Sequence, residues 1–346
     1  MASKGVYIYG IVPNFYGATH FQLLENSGVY AVTYQNISAI VSDRKREHPD
    51  LNDRESLGHL LVHHQETIEE LQRKGFTMII PLRLGTIVGS KEEVLKVLAC
   101  GSDLMIDTLK KIEYLTEIDL AVTWADFPAT LKEVANHPDI LALKNELMQS
   151  GEILTQVDQV KVGMLLQEKL IEKNKAVELK ILEAFSNISL DIKIHEVMND
   201  EMVTNSAVLI KRDHAAQFEQ IIEKLDEDCH GALNFKLVGP LPCYSFFTLE
   251  VNILDPGVVI QAGKELGVHE KTTESEIKKA YLEKAKLFHP DNNNDNGDTG
   301  NFNTIHKAYH TLLDYASAVR QLSKNEYISL AKETVMENSI LVKIKD

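Results

Sequence analysis

Apolar and polar residues change period several times along the chain, and each change marks an element. Val6 to Val12 (VYIYGIV) is a β-branched and aromatic run closed by Pro13-Asn14, which predicts a strand. Val29 to Tyr34 and Ile37 to Val41 flank the turn-like pair Gln35-Asn36 and predict two more. From Ser56 to Lys74 the period becomes helical, with Leu57, Leu60, Leu61, His64, Ile68 and Leu71 on one face. Met78 to Thr86 (MIIPLRLGT) is mostly apolar, too short for a membrane helix and bounded by turn residues, so it predicts an internal strand. Pro81 has no backbone donor, which places that strand at an edge or bulges it. Arg83 is a single charge in this run. It must leave the apolar layer or find a paired acceptor, because an unpaired buried charge costs several kcal/mol.

Ser90 and Glu93 have the spacing of a capping box ahead of a helix from Lys91 to about Glu113, and Ile118 to Trp124 predicts a further strand. The order β-β-β-α-β-α-β is close to a ferredoxin-like α/β sandwich with an extra strand, an N-terminal domain over residues 1–127. Pro128 begins a helical section whose longest piece is Val160 to Phe185. Strands at Asp191 to Val197 and Met202 to Lys211, an amphipathic helix at Ala215 to Glu227, and a strand at Leu233 to Val238 follow. GPLPCYSFFTLEV (239–251) turns and continues as another strand. This gives a second α+β, ferredoxin-like domain with leading helices over 128–255. Residues 256–325 form a small helical segment of lysine-rich helices around the Asn/Asp/Gly loop Asn292 to Gly300. The tail, 326–346, carries the alternating SILVKIK (339–345), which is suited to adding to a sheet edge.

The 346 residues suffice for two or three domains, with 44% hydrophobic and 25% charged residues as in ordinary globular chains. A formal charge of −15 opposes nonspecific phosphate binding, and the densest basic run, DRKRE (43–47), contains and is bounded by acids. Nucleic acid is not an expected partner. Cys100, Cys229 and Cys243 are scattered and odd in number, which suggests a reducing compartment. The first residues lack the apolar core and cleavage site of a secretion signal, and no window reaches about 18 uninterrupted apolar residues. A cytoplasmic location and no membrane partner are expected.

No catalytic, cofactor or metal residues are expected. Of His63-His64-Gln65, His64 lies on the apolar stripe of the helix and no Cys, His or Glu partner stands at ligand spacing, so it reads as an interior histidine. Gly85 to Lys91 (GTIVGSK) lacks the spacing of a phosphate loop. No G-x-S-x-G, C-x-x-C or H-E-x-x-H occurs. The chain therefore reads as a non-enzyme; Arg83 and His64 would be the candidates of a small-molecule enzyme.

The tripeptide HPD occurs at 48–50, 137–139 and 289–291, so context decides its meaning. The first follows a charged coil and the second a short helical turn, whereas the third joins two amphipathic helices. Thr273 and Glu276 cap the first, where Ile277, Ala280, Tyr281, Ala285 and Phe288 share a face; Phe302, Ile305, Ala308, Tyr309 and Leu312 mark the second. With LGV (266–268) and EIKKAY (276–281) in order, this segment resembles the J-domain of DnaJ-type co-chaperones. The resemblance implies docking on a DnaK-type ATPase through Lys278, Lys279, His289, Pro290 and Asp291. It departs from the family where Leu282 and Glu283 replace basic residues and Lys284 replaces an apolar one.

Residues 5–250 resemble the GvpF/GvpL family of gas vesicle proteins. The resemblance is carried by YIYGIV (7–12), the His64-Gln65 helix, IIPLRLGT (79–86), the strand into Trp124, KVGMLL (161–166), NDEMVTNSAVLI (199–210) and GPLPCYSF (239–246). It implies an accessory protein of gas vesicle assembly, located in the cytoplasm and on the vesicle, whose partners are the hydrophobic shell protein GvpA and other gas vesicle proteins. Arg83, Pro240, Tyr244 and Phe246 are the candidate partner-binding residues, at positions that read equally as core. A general J-domain co-chaperone with an unrelated client is the alternative. The expected architecture is α+β: two ferredoxin-like or modified ferredoxin-like sandwich domains, then a small helical J-like domain.

Overall fold

Strands β1 (Lys4–Pro13), β2 (Val29–Tyr34) and β3 (Ile37–Lys45) build the first sheet, with β2 and β3 turning at Gln35, whose φ is +50°. In this computed structural model the described residues are 4–14, 28–45, 54–149, 155–288, 299–322 and 326–345. They divide into two units, Met1–Glu113 with Phe247–Asp346, and Tyr114–Phe246.

In the first unit β1 is central. It pairs antiparallel with β3 and, on its other side, with β4 (Ile80–Pro81) and β5 (Ile87–Val88). Its aromatic and β-branched side chains are buried on both faces. Gly10 sits at a register shift in β1, where a Cβ would lie 2.9 Å from Ile79 Cγ2 and 3.1 Å from the Ile80 carbonyl. Helix α1 (Arg54–Arg73) buries Leu60, His64, Ile68 and Leu71, whereas Leu61 is 54% exposed. The inward stripe is narrower than the sequence reading, because Leu61 is rotated about 100° from Leu60. The expected strand at Met78–Thr86 is broken. Pro81 ends its first half, Arg83 to Thr86 turn outward around Gly85 at φ +86°, and β5 resumes the pairing. Helix α2 (Lys91–Ile112) is capped by Ser90, which accepts from the Glu93 amide. The Glu93 carboxylate bonds the Gly89 amide rather than that of Ser90, so the expected reciprocal box is only half formed.

The second unit starts at β6 (Leu115–Trp124), which the sequence reading assigned to the first domain. There follow α3 (Phe127–Ala135), α4 (Pro138–Gln149), α5 (Gln156–Phe185), β7 (Ser189–Ile194), β8 (Met202–Lys211), α6 (Ala215–Asp228) and β9 (Leu233–Leu241). The sheet order is β7-β8-β6-β9, antiparallel throughout, so β6 is the first strand of a complete β-α-β-β-α-β sandwich. Its place is set by Leu120, Val122 and Trp124, which share a core with Ile181 and Phe185 of α5 and Phe218 of α6. The rings of Phe185 and Phe218 stack at 4.4 Å. The boundary lies at 113/114 rather than 127/128.

A short turn, α7 (Tyr244–Phe247), leads out of this unit, and β10 (Leu249–Ile253) belongs to the first. Residues 239–251 thus do not continue as a strand of the second domain. Helices α8 (Pro256–Leu266), α9 (Glu274–Phe288) and α10 (Thr299–Leu322) follow, with β11 (Lys271–Thr273) before α9. Their core joins Val259, Leu266, Ile277, Ile305, Leu312 and Tyr315. After α10 come β12 (Tyr327–Ser329), α11 (Lys332–Glu337) and β13 (Ile340–Ile344). β12 pairs with β11, and β13 pairs antiparallel with β10. The helical segment and tail are therefore parts of the first unit. The alternating SILVKIK run adds to a strand edge as its pattern anticipated.

Candidate functional site

Three stretches distant in sequence meet in the interior of the first unit. Tyr7 Oη lies 2.8 Å from His64 Nδ1, and the Gly85 amide donates to Tyr7 Oη at 3.4 Å. Tyr9 Oη lies 2.9 Å from Ser42 Oγ and 3.0 Å from His63 Nε2. Burial, with His63 and Arg44 nearby, lowers the His64 pKa to about 4, and burial raises that of Tyr7 to about 12. Both rings are neutral near pH 7, and each has a hydrogen-bond partner. This is the interior histidine that the sequence pattern anticipated, and neither ring lines the neighbouring cleft.

That cleft, about 860 Å³, lies between the Arg83–Val88 turn and the chain from Val251 to Pro256, and Asp314 of α10 also lines it. Leu82 and Leu249 form a parallel bridge at one end, and the Arg83 amide donates to the Leu249 carbonyl at 2.9 Å. The Arg83 guanidinium has left the apolar layer, 64% exposed, and meets the largely buried Glu250 carboxylate at 3.2 Å. Both outcomes demanded of this charge are realised. Lys343 approaches the same carboxylate at 3.9 Å.

In the second unit, the segment carrying Pro240, Tyr244 and Phe246 is held by a buried acid. The Ser245 amide and hydroxyl each donate to Glu117 at 2.8 Å, and His195 Nε2 lies 3.2 Å from the Ser245 hydroxyl. Burial raises the Glu117 pKa to about 7, and that of its neighbour Asp119 is raised for the same reason. Pro240, after a cis bond, is exposed and Tyr244 half-buried. Phe246 is only 7% exposed, with Lys193 over its ring, the core placement that its sequence context left open. Sequence reasoning missed Glu117 and Ser245, because a single acid in a strand carries no spacing signal.

On α9, the Thr273–Glu276 box is complete, with bonds of 2.8 and 3.2 Å. Ile277 is buried and Tyr281 stacks on Tyr309 at 4.2 Å, while Lys278, Lys279, Leu282, Glu283 and Lys286 form the outer face. Lys284 donates to the Glu265 carbonyl at the C-terminus of α8, where a cation suits the helix dipole. His289, Pro290 and Asp291 lie outside the described residues, as does the 48–50 HPD. The HPD at 137–139 begins α4, with Pro138 as its first residue.

Among the described residues no group of three or more His, Cys, Asp or Glu is placed to hold a metal ion. No helix among them is long and apolar enough to cross a membrane.

Comparison with known proteins matches these two architectures separately. The family described as "Gas vesicle synthesis protein GvpL/GvpF" matches residues 5–248, and the DnaJ domain matches 264–319. Gas vesicle protein F of Nostoc sp. is 24% identical over 246 residues, covering 70% of this chain and 98% of that protein. Its counterpart in Dolichospermum flosaquae is 22% identical over 71% and 98%. The crystal structure of GvpF from Anabaena superposes with a TM-score of 0.58 at 22% identity, over 70% of this chain and 98% of that one. The chaperone DnaJ of Erysipelothrix rhusiopathiae is 45% identical over 49 residues, 14% of this chain and 13% of that protein. With the family match spanning well over half of its length, the chain belongs to the GvpL/GvpF family of gas vesicle synthesis proteins, and it carries a DnaJ domain within the same compact unit as its N-terminal sheet.

Proposed function

We propose that this protein is a non-enzymatic gas vesicle assembly factor. It binds the hydrophobic shell protein GvpA in the cytoplasm and at the growing vesicle, and presents it to a DnaK-type chaperone through the DnaJ domain. The observation that carries the coupling is the closure of β10 on β13, which flanks the DnaJ helices on both sides and ties them to the N-terminal sheet. A chaperone engaged by α9 would stand at a fixed geometry to the Arg83 turn rather than on a flexible tether. Val157, Val160, Met164 and Ile171, all exposed on α5, supply a helical apolar stripe of the kind that shields an aggregation-prone client.

The test uses the full chain and two readouts, GvpA capture and stimulation of a DnaK-type ATPase. The expected result is that His289→Gln abolishes stimulation and leaves capture intact. Loss of both readouts would place the client on the J segment itself. Stimulation without any GvpA capture would favour a general co-chaperone, and capture without stimulation by the unaltered chain would remove the chaperone half.

A further inference from the structure

We propose that the inner edge of β10 is a strand-addition site for an extended segment of another protein, apolar at alternate positions with lysine or arginine between them. The phase of the ladder shows which backbone groups are available. The Lys345 amide donates to the Thr248 carbonyl at 2.8 Å and the Leu254 amide to that of Ser339 at 2.7 Å. In the antiparallel register between β10 and β13, Glu250 and Asn252 therefore turn their backbone groups toward β13, and Leu249, Val251 and Ile253 turn theirs away.

The Leu249 carbonyl meets the Arg83 amide, but the pairing goes no further. The chain from Leu84 swings back to β1, where the Ile8 amide donates to Thr86 at 3.0 Å. By the same alternation Ile87 turns its own N–H and C=O away from β1, from the opposite wall of the cleft. Two strand edges thus border one cleft, and β10 offers it the backbone groups of Val251 and Ile253. The far edge of this two-stranded sheet is treated differently. Gln321 bonds both the amide and the carbonyl of Val342, closing the β13 edge with a side-chain amide. Among the described residues one edge is capped and the other is left open, a template for pairing.

Side chains and charge select the occupant. Val251 and Ile253 share a face, and Ile253 is 48% exposed, so an added strand would set apolar residues beside them. Glu93, Asp255 and Asp314 line the cleft, the first two also accepting from the Gly89, Gly257 and Val258 amides, while the charge of its one arginine, Arg83, is balanced by Glu250. The balance is acidic and favours a basic segment. This site is independent of the proposed function, since it requires neither GvpA nor a chaperone.

The experiment adds a labelled, alternating valine–lysine octapeptide to the full chain, reading anisotropy and amide exchange. A valine–glutamate peptide and a valine–lysine peptide broken by a central proline are the comparisons. The expected result is saturable binding by the valine–lysine peptide with slowed exchange at Val251 and Ile253, and about tenfold or weaker binding by the other two. Val251→Pro deletes a donor that faces the cleft and spares the ladder to β13, and should abolish binding. Should that variant not fold, Asp314→Lys provides a second reading by weakening the basic peptide and strengthening the acidic one. No binding at about 1 mM peptide, binding without protection at Val251 and Ile253, or equal binding of all three peptides would overturn the proposal. Protection that appears with rising protein concentration alone, with dimers in sedimentation, would overturn it in favour of a second copy of this chain.

Discussion

Gly101 of α2 faces Val342 of β13 with no room for a side chain: a Cβ there would lie 2.8 Å from Val342 Cγ1 and 2.9 Å from Met105 Cε. Glycine weakens a helix interior, so its presence here is explained by the close approach of the C-terminal strand. Met105 can move its flexible end, whereas β-branched Val342 is fixed by its ladder with β10. Gly101→Ala should therefore destabilise the first unit by about 1–3 kcal/mol despite the better helix propensity. Val342→Ala in the same chain should recover most of that loss, and a double-mutant cycle in urea measures the coupling. Additive effects would mean that the strand does not pack on this face.

Gly10 makes a parallel case at the centre of the first sheet. A Cβ would meet Ile79 Cγ2 at 2.9 Å and the Ile80 carbonyl at 3.1 Å, and the latter is backbone that β4 holds in place. Gly10→Ala is expected to cost about 1–3 kcal/mol and to loosen the Arg83 turn. Faster amide exchange at Leu82 and Arg83 would report it.

Much of this arrangement was legible in the sequence. VYIYGIV, the Gln35-Asn36 hairpin and the Thr273–Glu276 box declare themselves by period, turn residues and caps, which are local signals. The fate of Arg83 followed from the cost of burying a charge, although Glu250, 167 residues away, could not be named. What escaped was non-local. Ile118–Trp124 reads equally well as the last strand of one sandwich or the first of the next, and only the Phe185–Phe218 core decides. The tail strand announced an affinity for an edge without saying which. For Phe246 the sequence left surface and core open, because a loop aromatic looks the same whether it faces solvent or core, and the structure buries it.

His64 gives the first unit an acid sensitivity. Its folded pKa of about 4 lies below the unfolded 6.5, so between those values the unfolded chain binds more protons and stability falls as the pH drops. The loss should reach about 3 kcal/mol at most, complete near pH 4. His64→Gln, which keeps an acceptor for Tyr7, should flatten urea midpoints over this interval. An unchanged slope would place the sensitivity elsewhere.

Glu117 gives the second unit the opposite dependence. Its folded pKa of about 7 lies above the unfolded 4.5, so its contribution is fully present below pH 4.5 and is lost as the pH rises through 7. Glu117→Gln retains partners for both Ser245 donors, since a serine hydroxyl can also accept from the new amide. The variant should be the more stable form at pH 8, by about 3 kcal/mol at most. Slower amide exchange along β6 at pH 8 is the direct readout, and no difference would mean that Glu117 ionises in the fold as readily as in the unfolded chain.

Lys284 belongs to the packing of the DnaJ domain rather than to the outer face proposed to dock a chaperone. The family pattern asks for an apolar residue at this position, yet the ammonium group reaches the Glu265 carbonyl at the end of α8, beside Gly267 at φ +71°. Lys284→Met restores the apolar pattern and removes that bond. The expected result is a loss of about 1 kcal/mol, the worth of one charged hydrogen bond at a helix terminus, with ATPase stimulation unchanged. Lys278→Glu with Lys279→Glu should do the reverse, leaving thermal stability within a few degrees because both side chains are exposed, and removing stimulation. Measured together, the two variants dissect the segment. If Lys284→Met alone abolished stimulation, the seat of α9 on α8, rather than its outer charge, would govern engagement of the chaperone.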